Sequence, residues 1–351
     1  MIRNIALIGA GTISESHLSA LQLIPDVCVK TICNYHIELA QIRAAQYGVT
    51  NVCADYKEVL ADPQIDAVII VTPTYTHAAI ILDALAAGKH VMCEKPPALT
   101  YTDALKCEEA AKRAGKVLMY GFVLRFFDTY RYLKQYIDQG GLGDIYYAEA
   151  SQMENCSQIG GWFRDKTKAG GGCLMDAAIH QLDLMLYFMG YPKVSSVKGY
   201  ATDVNKELPD RMEDSGNSYA SVTNTRIPRT IESFASAMIT FEGGKSLYIK
   251  AAHIANTLRR DTCVDLLGDK GGASITNNKL RLLHIDQGDH FVETEPVIND
   301  DPDIFRAELQ HFVDCCNGKS DCIPNAHEGS EIMKILNAIY ESAETGTEIR
   351  F

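Results

Sequence analysis

Three ionisable side chains follow a run of glycines near the middle of the chain. The glycines occupy residues 170–172, and Asp176, His180 and Asp183 follow at positions i, i+4 and i+7. Because residues with this spacing share one face of an α-helix, we expect these groups to form a single stripe. Histidine exchanges protons near neutral pH, and a carboxylate can orient it or a substrate hydroxyl. The pattern predicts general acid–base chemistry, with buried hydrogen bonds between domains as the alternative.

A second candidate for chemistry is Lys95, which lies in the tripeptide Glu94-Lys95-Pro96 after a short apolar run. In open α/β sheets, ligands bind at the carboxyl ends of the strands. An ammonium group at this place can donate to a hydroxyl that is being oxidised and stabilise its developing negative charge. Taken alone, Lys95 fits an exposed salt bridge to Glu94 better. Its position after a nucleotide-binding half favours the catalytic interpretation.

A glycine turn lies close to the start of the chain. The run GAGTIS at residues 9–14 departs from GxGxxG only at its last position, where Ser14 replaces glycine. The first glycine permits a tight turn, the second lets the backbone approach a pyrophosphate, and the third allows close packing that a small serine also permits. We therefore predict dinucleotide binding by Gly9, Gly11, Thr12 and Ile13.

The end of the second predicted strand bears on the choice of cofactor. An acidic residue there binds the ribose of NAD, whereas an arginine accepts the extra phosphate of NADP. This chain has Asn34, which suits either cofactor, followed by Tyr35, which can stack on adenine. His36 and Arg43 could meet a phosphate or be ordinary surface residues. We expect NAD or NADP, with a slight preference for NAD.

The surrounding pattern must supply the elements that position these residues. Up to residue 121, apolar strand-like runs alternate with amphipathic helices, which predicts an α/β fold with a doubly wound parallel sheet of the Rossmann type. After residue 121, strand-like stretches dominate, and they predict a second α/β domain with a large, open, mostly antiparallel sheet. The predicted domains are residues 1–121 and 122–351. In the second domain we predict strands at 146–153, 195–200, 218–222, 233–241, 245–252 and 262–267, helices at 128–139, 172–189, 304–316 and 330–344, and a surface loop at 202–216.

Composition excludes several other classes of protein. The chain has 351 residues and a net charge of -12, which disfavours a nucleic-acid partner because nucleic acids are also negative. Its 11 cysteines lack the spacing of a disulfide framework or of a zinc site, so we predict no metal and a reducing compartment. No secretory signal and no membrane-length apolar stretch are present, and we expect a cytoplasmic protein.

Together these motifs resemble the glucose-fructose oxidoreductase/inositol dehydrogenase/MocA (Gfo/Idh/MocA) family. The resemblance spans nearly the whole chain and depends on five motifs in order. These are the glycine turn with His17, the tripeptide at 72–74 with His77, the tripeptide at 94–96, Gly121 with Arg125 and Phe126, and GGGx3Dx3Hx2D at 170–183.

The resemblance implies a set of roles for particular residues. Lys95, Asp176 and His180 would be catalytic, with His180 receiving the hydroxyl proton of a sugar or cyclitol whose hydride passes to nicotinamide. Arg125 and Trp162 would join these three at the substrate. The cofactor would be lined by Thr72, Pro73, Thr74, His77, Glu94 and Lys95, in addition to the glycine turn, Asn34 and Tyr35.

The resemblance also implies a homo-oligomer, a dimer or a tetramer, that assembles through the open sheet of the C-terminal domain. Three alternative functions remain open at this point. One is an NAD-dependent glycosidase that oxidises its substrate transiently, and another is a regulatory protein that binds NAD(P) without catalysis. A third is an oxidoreductase that acts on an imine or a pyrrole.

Overall fold

A computed structural model describes residues 1–154, 159–203, 229–258, 262–286, 289–299 and 301–351. The chain divides into two compact units. The first unit contains Met1–Val123 together with Pro302–Met333, and the second contains Leu124–Asp301 together with Lys334–Phe351. The first unit therefore recovers a segment from near the end of the chain. The sequence-based division into residues 1–121 and 122–351 contains no such return.

The first unit is built on a six-stranded parallel sheet. Its strands are β1 (Asn4–Ile8), β2 (Cys28–Cys33), β3 (Asn51–Cys53), β4 (Ala67–Ile70), β5 (His90–Glu94) and β6 (Leu118–Gly121). They lie in the order β3-β2-β1-β4-β5-β6 and all pairs are parallel. The order reverses direction between β1 and β4, which is where a doubly wound sheet binds its ligand. The predicted Rossmann fold is confirmed.

The helices of the first unit are α1 (Ile13–Leu21), α2 (Ile37–Tyr47), α3 (Tyr56–Ala61), α4 (His77–Ala86), α5 (Tyr101–Ala114) and α9 (Ile304–Cys316), with the start of α10 (Ala326–Thr345). Local signals set several of their ends. The Thr100 side chain caps α5 by accepting from the backbone N–H of Asp103. Gly115 closes the same helix in the left-handed conformation. Strands and helices enclose a core that includes Leu7, Ile69 and Phe312.

The second unit has a nine-stranded sheet that is antiparallel except for one parallel pair. Its strands are β7 (Ile145–Met153), β8 (Val194–Thr202), β9 (Phe234–Phe241), β10 (Ser246–Ala252), β11 (Thr262–Gly268), β12 (Gly271–Thr276), β13 (Lys279–Ile285), β14 (Phe291–Thr294) and β15 (Ile349–Arg350). The order is β14-β13-β12-β11-β7-β10-β9-β8-β15, and β7 pairs with β10 in parallel. The predicted open, mostly antiparallel sheet is confirmed.

The second unit also contains α6 (Asp128–Asp138), the short α7 (Lys166–Ala169), α8 (Ile179–Met189) and the remainder of α10. A π-helical segment, Leu174–Ala178, precedes α8 directly. The predicted helix over residues 172–189 therefore exists, but its first part has the wider turn. This difference matters because Asp176 lies inside the π-helical segment.

Some elements were not foreseen from the sequence. Strands β12 to β15 and helix α3 have no counterpart among the predicted elements. The predicted strand at 218–222, and the predicted loop at 202–216 beyond residue 203, lie outside the described residues. Among the residues that the structure describes, no helix is long and apolar enough to cross a bilayer.

Candidate functional site

The glycine turn joins β1 to α1 at the carboxyl edge of the parallel sheet. Gly9 has a φ of +113°, and a Cβ on this residue would lie 2.6 Å from the carbonyl oxygen of Val71. Gly11 differs, because a Cβ there would have no atom within 4 Å. Ser14 is fully buried and donates its hydroxyl to the Gly11 carbonyl at 2.5 Å, so the serine packs in the place of the third glycine. Only glycine fits at residue 9, whereas residue 11 keeps the backbone open to a ligand.

Helix α1 begins at Ile13, directly after the turn. Backbone N–H groups at the start of a helix carry partial positive charge, and in α1 those of Ser14 and Glu15 donate to the carbonyls of Gly11 and Thr12. Thr12 and Ile13 thus lie where backbone donors can meet a pyrophosphate. The predicted cofactor contacts at the turn have a geometry that fits the group.

Asn34 supports the glycine turn from the end of β2. Its amide oxygen accepts from the backbone N–H of Ala10 at 3.0 Å, and its amide nitrogen donates to the His36 carbonyl at 2.8 Å. The neighbouring Tyr35 is 86% exposed, which leaves its ring accessible for stacking. Asn34 therefore joins β2 to the turn, a role that residue type and position alone did not indicate.

The backbone at Lys95 is held by its neighbour Glu94 at the end of β5. Glu94 accepts from the Lys95 backbone N–H at 3.1 Å with one carboxylate oxygen, and its other oxygen lies 2.8 Å from Nε2 of His17. His17 belongs to α1 and is fully buried. A Cβ on Gly121 would lie 3.1 Å from the Glu94 carboxyl group, so glycine gives this carboxylate its space. These contacts tie Lys95 to the helix that follows the glycine turn.

A buried imidazole joins the ends of β4 and β5. His77 lies 2.8 Å from the carbonyl oxygen of Thr72 through Nε2 and 2.8 Å from that of Pro96 through Nδ1. Burial lowers the pKa of His77, and the two carbonyl acceptors oppose that shift to a smaller extent. A neutral imidazole has one N–H and can donate to only one carbonyl at a time. His77 therefore links the segment at 72–74 to the tripeptide at 94–96. Pro73 and Thr74 belong to the first of these segments.

Asp176 and His180 lie on consecutive helical segments of the second unit, the first π-helical and the second α-helical. Asp176 lies in the π-helical segment, and His180 lies in the first turn of α8. Both side chains are partly exposed. A π-helical turn inserts extra backbone and changes the direction of the side chains before it relative to those after it. The single stripe expected from ideal α-helical spacing is therefore altered at Asp176.

Glu232 holds the start of this helix from another part of the chain. Its carboxylate accepts from the N–H of Gly172 at 2.7 Å and from the N–H of Leu174 at 3.1 Å. The hydroxyl of Tyr340 donates to the same carboxylate at 2.9 Å. Burial is the main cause that raises the pKa of Tyr340, and the nearby Glu232 adds to it. A negative group at a helix N-terminus satisfies N–H groups that would otherwise lack a partner.

The glycine run before the helix is explained by the same two residues. A Cβ on Gly171 would lie 1.8 Å from the Tyr340 hydroxyl oxygen, and a Cβ on Gly172 would lie 2.0 Å from the Glu232 carbonyl oxygen. The run therefore provides space for Tyr340 and Glu232.

Asp183, the third member of the expected stripe, has a separate partner. Its carboxylate binds Arg125 through both oxygens, with the shortest contact at 2.6 Å, and both side chains are buried. Arg125 also donates to the Tyr191 hydroxyl at 2.5 Å and lies 4.4 Å from the centre of the Tyr187 ring. The guanidinium group is thus engaged by a buried carboxylate. We leave Arg125 out of the proposed substrate site for this reason.

Trp162 lies in a short 3₁₀ turn, Gly161–Arg164, and stacks on Phe163 with 3.8 Å between ring centres. Its side chain is partly exposed. The aromatic face is therefore available on the surface of the second unit. Its predicted contact with substrate stays a prediction.

Two polar residues near the candidate site were missed from the sequence, namely Glu232 and His253. His253 follows β10 directly, and its Nε2 lies 3.2 Å from Oδ2 of Asp176. Neither residue belongs to a recognisable motif, because each meets the helix only through the folding of the sheet. The sequence signal available for His253 is a histidine directly after a strand-like stretch.

The returning segment Pro302–Met333 contains a thiol cluster, formed by the side chains of His311, Cys315 and Cys322. The sulfur of Cys315 lies 3.3 Å from Nε2 of His311, and its pKa is lowered to about 5, first by the Cys322 thiol and then by His311. Burial raises the pKa of Cys316, the neighbour in sequence.

Within the described part of the chain, no group of three or more His, Cys, Asp or Glu residues has an arrangement that could hold a metal ion.

Most of the chain matches two models of a single protein family. Residues 3–122 match the oxidoreductase family with the NAD-binding Rossmann fold, and residues 134–351 match the C-terminal alpha/beta domain of the same oxidoreductase family. The match agrees with the glycine turn, whose conformation and open backbone suit a dinucleotide. The first unit is thus an NAD-binding Rossmann domain.

Individual relatives are dehydrogenases. The chain is 31% identical over 358 residues to D-glucoside 3-dehydrogenase of Escherichia coli (strain K12), with 98% of this chain and 96% of the relative covered. It is 29% identical over 286 residues to scyllo-inositol 2-dehydrogenase (NAD(+)) of Bacillus subtilis (strain 168), covering 80% of this chain and 76% of the relative. Levoglucosan dehydrogenase in complex with NADH and levoglucosan has the same fold, with a TM-score of 0.87 and 24% identity over 99% of both chains.

Proposed function

This chain belongs to the Gfo/Idh/MocA family of NAD-binding oxidoreductases, and on that premise we propose that it oxidises a secondary alcohol of a sugar or cyclitol. The reverse reaction, reduction of the ketone, uses the same groups. The names of the relatives support this class of substrate, because they include a glucoside dehydrogenase and an inositol dehydrogenase. The observation that carries the proposal is Lys95 at the carboxyl end of β5, held by Glu94, which also contacts His17 of α1.

Three side chains have roles in the proposed reaction. Lys95 donates a hydrogen bond to the substrate hydroxyl and stabilises the negative charge that develops on its oxygen. His180 accepts the hydroxyl proton, and Asp176 orients the substrate or the imidazole. The nicotinamide, when bound, supplies the acceptor for the hydride. The glycine turn, Asn34, Tyr35 and the segment from Thr72 to His77 would hold this cofactor.

Asp176 and His180 need a rigid support, because proton transfer depends on heavy-atom distances within hydrogen-bond reach. Glu232 provides it by binding the N–H groups of Gly172 and Leu174. The buried Tyr340 donates to the same carboxylate and fixes it. We therefore treat Glu232 and Tyr340 as structural support for the catalytic helix.

We further propose that the cofactor is NAD. Arg43, the basic side chain on α2 that could meet an extra phosphate, pairs with Glu15 at 2.5 Å. That carboxylate would repel a phosphate near the guanidinium. Asn34 carries no charge that selects a cofactor, and its amide is used by the turn. The ratio of kcat/KM for NAD to that for NADP tests this preference, and a ratio below one would reverse it.

We also propose that the protein is a homo-oligomer assembled through its large sheet. The register of the sheet places one side of β9 against the core, with Ala237 and Ile239 buried, and the other side outward. The outward face carries several large exposed apolar side chains. They are Tyr200, Met238, Leu267, Leu283, Ile285 and Phe291.

An apolar patch of this kind is typical of a protein interface. Light scattering coupled to gel filtration should give the mass of a dimer or a tetramer. Replacing Met238 and Leu283 by glutamate should shift that mass towards the monomer. A monomeric wild-type protein would contradict the proposed assembly.

The main experiment is a screen of glucosides, inositols and anhydrosugars with NAD and NADP, followed by the absorbance of the reduced cofactor. We expect the cofactor to be reduced when a sugar or cyclitol is present. Mass spectrometry should identify the oxidised product as a ketone. Release of a free sugar from a glycoside without net accumulation of NADH would overturn the proposal in favour of a glycosidase. Cofactor binding with no turnover on any of these compounds would also overturn it.

A further inference from the structure

The structure assigns a positioning role to His253, which we infer acts through Asp176. This inference rests on the proposed function, since it concerns how the proposed catalytic carboxylate is held. His253 is 3% exposed and lies at the end of β10, far in sequence from the catalytic helix. Its Nε2 lies 3.2 Å from Oδ2 of Asp176.

The position of the imidazole is set by the sheet. The backbone N–H of His253 donates to the Ser233 carbonyl at 3.0 Å, directly beyond the pairing of Ala252 with Phe234 between β10 and β9. Asp176 is held from a different element, because its backbone N–H donates to the Gly172 carbonyl at 3.0 Å. The contact between the two side chains therefore fixes a helical carboxylate against a rigid strand.

The surroundings of His253 give the imidazole little else to interact with. Its Nδ1 is buried and has no hydrogen-bond partner among the described residues. The neighbouring Ala251 and Ala252 are fully buried and apolar. A buried polar group without a partner destabilises the folded state, so an imidazole at this position requires an explanation.

The carboxylate of Asp176 provides that explanation. Its side chain is 37% exposed, so one side of the group faces outward while the other meets the buried ring. The contact has the distance of an ion pair without the alignment of a hydrogen bond. A small rotation of either side chain would align it, and a ring N–H would then hold the carboxylate in one orientation. His253 thus prepares Asp176 to orient the substrate hydroxyl or His180.

A pair of amide variants separates this role from simple space filling. In H253Q the amide nitrogen reaches about as far as Nε2, whereas in H253N the amide group is too short to reach Asp176. Both amides are polar and uncharged, so they impose similar costs of burial. We expect H253Q to retain most of the wild-type kcat and H253N to lose about tenfold, with unchanged KM for the cofactor. Equal kcat values for the two variants would overturn the inference.

A double-mutant cycle tests whether His253 acts through Asp176. In the D176N protein, H253N should lower kcat by less than about twofold, since the partner charge is already absent. An undiminished tenfold loss in that background would show that His253 acts elsewhere. Thermal unfolding of each variant, compared with the wild type, separates loss of kcat from loss of the folded state.

The imidazole of His253 can also be observed by NMR, in a measurement that does not depend on catalytic activity. In protein labelled with ¹⁵N-histidine, we expect D176N to shift the ring signals of His253 strongly, and an unchanged spectrum would contradict the contact. This readout stays valid if no sugar or cyclitol is oxidised, in which case the proposed function fails separately. If the wild type is a dehydrogenase and D176N is fully active, the role of Asp176 fails, and the inference about His253 fails with it.

Discussion

The two units build their candidate site residues in different ways. In the first unit, Gly9, Gly11 and Lys95 belong to short motifs at the ends of strands, and each follows its strand within a few residues. In the second unit, the helix that carries Asp176 is held by Glu232 and by His253, which come from distant parts of the chain. A parallel α/β sheet brings its loops to one edge by repetition. An antiparallel sheet offers no such rule, so its supporting residues depend on register.

The largest expected effect concerns Lys95, which belongs to a motif of the first unit. Replacing Lys95 by alanine should lower kcat by about a hundred- to ten-thousand-fold, because the charge on the substrate oxygen loses its stabilising donor. The affinity for NADH, measured by its fluorescence, should stay close to that of the wild type. K112A, which removes an exposed lysine of α5, serves as the control and should be fully active. A K95A protein with wild-type kcat would remove the basis of the proposed mechanism.

The second prediction concerns the distant support in the second unit. E232A leaves two helical N–H groups and the Tyr340 hydroxyl without their acceptor, which should lower the free energy of unfolding by about 2–4 kcal/mol. Y340F removes only one of these contacts and should cost about 1 kcal/mol. Urea unfolding measures both changes. If E232A costs no more than Y340F, the carboxylate does not hold the helix as inferred.

A third prediction separates two glycines that the motif treats alike. G11A should unfold like the wild type to within about 0.5 kcal/mol, because a Cβ there meets no atom within 4 Å. It should nevertheless weaken NADH binding by about tenfold, since the added carbon faces the place of the pyrophosphate. G9A should instead lose stability by about 1–3 kcal/mol, because of its φ of +113° and the nearby Val71 carbonyl. Equal stabilities for G9A and G11A would contradict this distinction.

The smallest expected effect concerns the thiol cluster of the first unit, whose members His311, Cys315 and Cys322 lie close together in sequence. The pKa of Cys315 is lowered from 9.0 to about 5 in the folded protein, by Cys322 and His311. The same contact raises the pKa of Cys322, so the two thiols share one proton and Cys315 is the thiol that ionises first as pH rises. Thiolate absorbance should therefore show an acidic titration that C315S removes. A cysteine titration confined to the alkaline range would disprove the lowered pKa.

Much of the fold could be predicted because its signals are local. The bounds of α9 coincide with the predicted helix at 304–316. The hairpin of β12 and β13 was missed although its turn, Asn277 and Asn278, has positive φ at both residues. Such a turn is a known signal for a two-residue hairpin. Two adjacent asparagines, which tolerate positive φ, are thus a local signal for this hairpin.

Other features had no local signal. The π-helical turn at Asp176 does not follow from hydrophobic spacing, because α- and π-helical turns share the same apolar pattern over a few residues. The burial of Asp183 against Arg125 depends on a partner 58 residues away. The return of Pro302–Met333 to the first unit is a matter of packing between distant segments. Composition and motif spacing contain none of this information.

The sequence by itself determined the alternation of strands and helices, the glycine turn, the position of Lys95 and the identity of the helix with Asp176 and His180. These depend on backbone conformation and hydrophobic periodicity, which act over a few neighbouring residues. The tertiary structure alone decided that Glu232 and Tyr340 hold the glycine run, that Arg125 is engaged by Asp183, and that His253 meets Asp176. Side chains far apart in sequence meet only when sheet register and packing are fixed, and that is a property of the whole fold.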